Sequence, residues 1–263
     1  MRRLLFVGVC LMVLATSCIR VVSAVVVGNG QVTTTKMNYD AEGVRSLALS
    51  SGFNVVFDKT IEPGTVQITT YENVVEYVVV DVSNGSLEIK MKPNVSYDID
   101  VLEARLSPEG FTVFAVSGGV DLSSVESLQI DSEVVFAASG GADIDLSLSC
   151  LNLVLAVSGG ADVDFNELSA NDINLAVSGG ADVEMNGVCN ALKADVSGGA
   201  DAELGGLRAK SVVANASGGA DLEVFAIDSY ELKASGAADV EYHETGAKVD
   251  ADSSSAADIS VVR

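Results

Sequence analysis

A five-residue phrase, Ser-Gly-Gly-Ala-Asp, begins at Ser139, Ser158, Ser178, Ser197 and Ser217, and close variants begin at Ser117, Ser235 and Ser254. Successive starts lie 22, 19, 20, 19, 20, 18 and 19 residues apart. Self-similarity at that period is the mark of a solenoid, in which each repeat forms one coil and buries its apolar face by resting on its neighbours. The period predicts an architecture and leaves activity open, because function has to come from a site on the scaffold.

Within one repeat, Ile173, Leu175, Val177, Gly179, Ala181, Val183 and Met185 share one parity, and Asn174, Ala176, Ser178, Gly180, Asp182 and Glu184 share the other. A period of two means strands with one buried face. The same parity returns in Leu151, Leu153, Leu155, Val157, Ala161, Val163 and Phe165, and again in Val212, Ala214, Ala216, Ala220, Leu222 and Val224. Each coil then holds two strands joined at the Gly-Gly pair, where the missing Cβ opens backbone angles closed to other residues. An apolar residue ten positions after the repeat Ser, at Leu168, Val188, Leu207 and Ile227, with Leu148 one place early, predicts a third inward column. The expected fold is all-β, a parallel β-helix or solenoid of about 19–20 residues per turn. No window carries the three- and four-residue apolar spacing of a helix, and Val, Ile, Gly, Ser and Asp fill helices poorly.

Cys150 and Cys189 each stand eight residues before a repeat Ser, and Ala170 and Ala209 hold the equivalent places in other coils. The two thiols are therefore two coils apart, about 10 Å at ~4.8 Å per coil, beyond the reach of a disulfide. They are expected to be small buried fillers.

The chain has 263 residues, 48% of them hydrophobic, with no Trp and 5% aromatics, which suits a narrow interior. A single β-solenoid domain over 25–263 is expected, with a strand-rich flanking or capping part over 25–110 and regular repeats over 111–263. Residues 1–24 read as an export signal: Arg2 and Arg3, an apolar run from Leu4 to Ala15, then small residues. Two cleavage readings stand. Ala15-Thr16-Ser17-Cys18 resembles a lipobox, which makes Cys18 the lipid attachment residue, and Val22-Ser23-Ala24 resembles an ordinary signal-peptidase site. Cys10 lies inside the apolar run as a packing residue of the signal.

The formal net charge is −22, from 15 basic and 37 acidic residues. A mature chain starting at Cys18 loses two arginines and carries −24. Such acidity excludes nucleic acid as a partner and direct adsorption to anionic lipid, leaving a lipid anchor as the one route to a membrane.

Much of the acid is periodic. Asp121, Asp143, Asp162, Asp182, Asp201, Asp221, Asp239 and Asp258 close the phrases, and Ser123, Asp145, Asp164, Glu184, Glu203, Glu223, Glu241 and Ser260 follow two positions later on the same outward parity. Fourteen of the 37 acidic residues thus form a double ladder. Neighbours ~4.8 Å apart repel by roughly 0.9 kcal/mol in water, so something must offset the stacking. Two readings are open. The Asp can accept hydrogen bonds from the repeat Ser or the corner amides while the second column is solvated. Alternatively the rungs hold a hard cation such as Ca²⁺, with Asp162, Asp164, Asp182, Glu184, Asp201 and Glu203 as candidate ligands. Gly-Gly-Ala-Asp-Val-Asp is similar to the Ca²⁺-binding nonapeptide of bacterial β-rolls, but it occurs once per turn where two copies would be needed.

Before the repeats, apolar runs holding Val55, Phe57, Val66, Ile68, Val78, Val80, Leu87 and Ile89 are separated by turns at Glu62-Pro63-Gly64 and Ser83-Asn84-Gly85, and no repeat phrase is expected there. Gly28-Asn29-Gly30, the segment from Val44 to Val55, Ser86-Leu87-Glu88-Ile89 and the recurrent Ser-Gly-Gly-Ala-Asp together resemble the auto-transporter adhesin head GIN domain family of exported Gram-negative proteins. The resemblance implies a right-handed β-helix, surface or periplasmic placement, and often a lipid anchor.

β-Helices also carry polysaccharide-cleaving enzymes, and a carboxylate pair can act as general acid and base. Here, however, the acids are alike from coil to coil, whereas catalysis needs groups in distinct environments. His243, the one histidine, reads as a solvated loop residue beside Tyr242 and Glu244, and no His follows the Ser column. The expectation is a non-enzymatic, exported cell-envelope module with no catalytic residues and no cofactor, placed at the outer membrane or cell surface. Its partner is an envelope or extracellular ligand, a glycan or a protein. The alternative is a calcium-dependent carbohydrate-binding or carbohydrate-active protein using the ladder.

Overall fold

Val, Ile, Leu and Ala at alternate positions suit a pleated wall buried on one side. The computed structural model, which describes residues 25–262, stacks such walls coil upon coil. Asp162–Ser169 pairs in parallel with Asp143–Gly159 on one edge and with Asp182–Gly198 on the other. Registers align residue for residue, so that Asp143, Asp162, Asp182, Asp201 and Asp221 face one another in turn. On the second wall Leu153, Ile173, Leu192 and Val212 do the same inside the core. The fold is the parallel β-solenoid that the period predicts. The export signal over 1–24 and the lipid attachment residue Cys18 lie outside the described residues. Among the described residues no helix is long and apolar enough to cross a membrane.

The corners explain why the phrase holds two glycines. Gly159, Gly179, Gly198 and Gly218 have φ of 82°, 88°, 89° and 86°, the left-handed region that costs other residues energy. A Cβ on Gly198 would also lie 2.8 Å from the Gly179 carbonyl oxygen of the coil below. The second glycine keeps the coil-to-coil hydrogen bonding intact through the bend, as where Gly199 N–H donates to Gly179 O at 2.8 Å.

The third inward column is only partly as expected. Leu148, Leu168 and Leu207 are buried, but Val188 and Ile227 are 53% and 51% exposed, and Cys189 and Ala226 turn inward beside them. Register shifts in each of these coils are the cause. A single extra residue reverses every following side chain. Gly187 takes the inward place between Leu168 and Leu207, where a Cβ would lie 2.0 Å from the Leu168 carbonyl oxygen. Leu151, expected inside, is 49% exposed within the strand Asp143–Gly159. Cys150 and Cys189 are free thiols, Cys189 sits beside Ala209 as expected, and burial pushes both up to about 11.

The N-terminal part departs from chain order. Ser46–Leu49 and Asn54–Phe57 form a coil sandwiched between Val113–Ser117 with Asp121–Ser124 on one side and Ser86–Met91 with Leu102–Leu106 on the other. Contrary to expectation, this coil does carry a degenerate phrase, Ser50-Ser51-Gly52-Phe53-Asn54. Gly52 N–H donates to Gly118 O and Asp121 N–H to Phe53 O, and Ser51 takes φ 78° without being glycine. Antiparallel strands Thr65–Tyr71 and Val32–Asn38 cover one wall's end, and Val78–Ser83 covers the other.

Phenylalanines fill the core where these two parts meet. The rings of Phe114 and Phe136 stack at 4.4 Å and 12°, with Phe57 and Phe165 meeting them edge-on at 5.7 and 6.0 Å. Farther along the same column Ala194 and Ala214 replace them.

Candidate functional site

The double ladder exists as read from the sequence. Asp162, Asp182 and Asp201 stand in one row, and Asp164, Glu184 and Glu203 in the next, around a shallow groove of about 200 Å³. The structure brings the six candidate ligands together, yet among the described residues no group of three or more His, Cys, Asp or Glu side chains is placed to hold a metal ion.

The partners of the ladder differ from those expected. The repeat Ser does not serve the Asp; Ser197 and Ser117 hydroxyls donate instead to Val177 and Leu49 carbonyls of the preceding coil. Relief falls mainly on the second column. Asn166 Nδ2 donates to Asp145 at 2.6 Å, Asn186 Nδ2 donates to Glu184 at 2.8 Å, and His243 Nε2 lies 2.6 Å from Glu223 Oε1. His243 is thus a half-buried partner of the ladder rather than a solvated loop residue, and its carbonyl accepts from the Tyr230 hydroxyl at 2.9 Å. Other rungs, in both columns, carry their charge with little relief. Partial burial, and then the neighbouring carboxylates, hold Asp143, Asp164 and Asp201 above the ordinary Asp range. Asp195, on the other wall, shows the contrast: burial pushes it up, but hydrogen bonds from Lys193 and Asn215 outweigh that and leave it lowered.

The ladder changes chemistry at one end. Asp121 is followed by Asn54 and then by Glu103 in the same row. At that level the corner between Met91 and Leu102 is not Gly-Gly-Ala but the ten residues 92–101, and the longer corner walls off a cleft of about 850 Å³. Lys90, Lys92, Tyr97 and Asp100 line it together with the row. The loop is braced from several sides. Tyr97 donates to the Lys92 carbonyl at 2.8 Å, Thr70 donates to the Val101 carbonyl at 2.7 Å, and Ser96–Asp98 pairs with Val25–Val27. The sequence reading missed this cleft, although Asn54 in place of Asp and the long interval around Pro93-Asn94 were signals for it.

The profile of a family described as "Putative auto-transporter adhesin, head GIN domain" matches residues 45–246. The chain belongs to this family. The matched span of the GIN domain runs from the sandwiched N-terminal coil through all but the last phrase coil, and so includes the cleft and the ladder as far as Glu241. Solved structures share its fold. A "putative adhesin" from Parabacteroides merdae ATCC 43184 superposes with a TM-score of 0.83 at 18% identity, covering 91% of this chain and 99% of that one. A "putative adhesin" from Parabacteroides distasonis ATCC 8503 gives 0.79 at 21% identity over 90% and 100%. A "putative lipid binding protein" from the same strain gives 0.73 at 16% identity over 91% and 100%. Among curated proteins there is no significant match.

Proposed function

We propose that the chain is a non-enzymatic, adhesin-like binding module of the cell envelope, exported by its N-terminal signal and tethered through Cys18. Its partner is an extracellular or envelope ligand, and the solenoid acts as a rigid stalk that presents the ligand-binding surface. The observation that carries this reading is the repetition of the ladder: a pair of outward carboxylates returns at the same register in every coil from Asp143 to Glu241, a repeated array rather than one differentiated centre. The family description supports an adhesive role. The calcium-dependent alternative draws on the same ladder, and its rungs stand in an open groove rather than in a closed oxygen cage.

Two measurements test the proposal. Mass spectrometry of the mature N-terminus should find a diacylglyceryl adduct on Cys18; a chain beginning at Val25 would remove the anchor from the account. Beads coated with the purified mature protein should be retained on surfaces bearing glycoproteins or extracellular matrix. Retention no greater than that of uncoated beads on every such surface would defeat the adhesive reading, and polysaccharide cleavage would replace it with an enzymatic one.

A further inference from the structure

We propose that the cleft at the expanded corner binds a short, uncharged oligosaccharide along the row Asp121–Asn54–Glu103. This rests on the reading of the chain as a ligand-binding module and names the class of ligand and the place. The site's volume of about 850 Å³ falls within the ~300–1,000 Å³ typical of small-ligand clefts.

The lining decides the chemistry. An anionic ligand would face the carboxylates of Asp100, Asp121 and Glu103, the last already paired with Arg105 at 2.9 Å, and a cationic one would face the ammonium groups of Lys92 and of Lys90, itself paired with Glu88 at 2.7 Å. A neutral polyol suits both sets, because each hydroxyl can donate to a carboxylate and accept from an ammonium or from the Asn54 amide. The row itself rises by one coil per residue, ~4.8 Å, close to the advance of one sugar unit along an extended oligosaccharide. An extended peptide would instead need an open strand edge with apolar pockets for alternate side chains, whereas this row consists of outward polar side chains on strands paired on both sides.

The cleft is also built in advance. The Tyr77 and Tyr97 rings meet edge-to-face at 5.9 Å, Lys92 Nζ lies 5.5 Å from the Tyr77 ring centre, and the Tyr71 hydroxyl donates to Asp100. Side chains already held in place lose little freedom when a ligand arrives. The length of the corner is not required by the solenoid, since the phrase coils turn with Gly-Gly-Ala at the same level. Loops longer than the scaffold needs are where binding groups collect.

The test is an array of neutral and charged oligosaccharides probed with the full mature protein, followed by calorimetry on the oligosaccharides that bind. The decisive variant is Asn54→Asp, which places at this register the residue that the phrase coils carry and so leaves the fold intact, as a melting curve would verify. It removes a donor and adds a third carboxylate to the row. Binding should be confined to neutral oligosaccharides and should weaken about tenfold or more in Asn54→Asp and in Glu103→Gln, while Asp182→Ala with Glu184→Ala leaves it unchanged. If oligosaccharides bind equally well to Asn54→Asp and Glu103→Gln, the cleft assignment is overturned and the binding module survives. Absence of binding across the array, preference for charged sugars, or capture of peptides from a random library at the cleft would each overturn the ligand class, whatever the bead experiment shows.

Discussion

The phrase coils and the N-terminal part use the same corner and the same two walls, yet only the first are regular. From Val113 onward each coil repeats the last, so like residues stack on like: carboxylate on carboxylate outside, Ala on Ala at the corner, Leu or Val on its counterpart inside. In the N-terminal part the coil order is shuffled and the corner is once degenerate and once expanded, and aromatic rings fill the core where it meets the first phrase coils. All five Phe among the largest fully buried side chains lie between residues 53 and 165. Regularity yields a rigid and nearly featureless ladder, whereas irregularity brings amide, ammonium, carboxylate and phenol into one cleft. A repeat specifies the solenoid, and its interruption specifies where chemistry can differ.

The contrast can be broken most forcefully in the core. Phe136→Ala should cost about 3–5 kcal/mol in urea unfolding, because it empties a stack that locks the first coils to the repeats. A loss under about 1 kcal/mol would mean that the aromatic cluster does not unite the two parts. Next come the corners. Gly198→Ala should destabilise by about 2–3 kcal/mol through its left-handed backbone and its approach to Gly179, while Gly199→Ala should cost less than about 1 kcal/mol. Equal effects would remove the distinction between the two glycines. The degenerate corner should behave in the opposite sense: Ser51→Gly relieves a positive φ and should raise stability by about 0.5 kcal/mol, the gain being reduced by the greater freedom of glycine in the unfolded chain.

The sequence was legible where it was periodic. Spacing and parity placed the coils, the Gly-Gly corners and both acidic rows, since in a solenoid a linear interval becomes a vertical neighbour. It was less legible where an inserted residue resets parity, which is why Val188 and Ile227 point outward and Gly187 stands in the inward row. The N-terminal coil was hidden for a different reason. Its neighbours, Val113–Ser117 and Ser86–Met91, are distant in sequence, and no local pattern announces a strand inserted between them. The cleft depends on that insertion and could not be placed without it. His243 was misjudged because its partner, Glu223, belongs to the coil below, 20 residues earlier.

A smaller effect belongs to the ladder and its pH dependence. Asp143, Asp164 and Asp201 are raised above the ordinary value of 3.8, so the folded state takes up protons before the unfolded state does. Their contribution to stability should therefore grow as the pH falls from neutral through their folded-state range, and be complete below 3.8. Asp58, lowered chiefly by hydrogen bonds from Thr60, and Asp195, lowered on balance by its bonds from Lys193 and Asn215, act in reverse and lose stability only at still lower pH. Urea midpoints should rise modestly on mild acidification; a steady fall from pH 7 downward would show that the rows are not strained by their own charge.

The central claim is that the ladder is a row of mutually repelling carboxylates on the outer face of the solenoid. Its most direct test is the thermal midpoint of Asp182→Asn combined with Glu184→Gln, in which shape is kept and two charges are removed from the middle of the rows. The account predicts a midpoint unchanged or raised by a few degrees, about 1 kcal/mol after screening. A fall corresponding to about 2 kcal/mol or more would contradict it, because these carboxylates would then be holding a partner that the fold depends on.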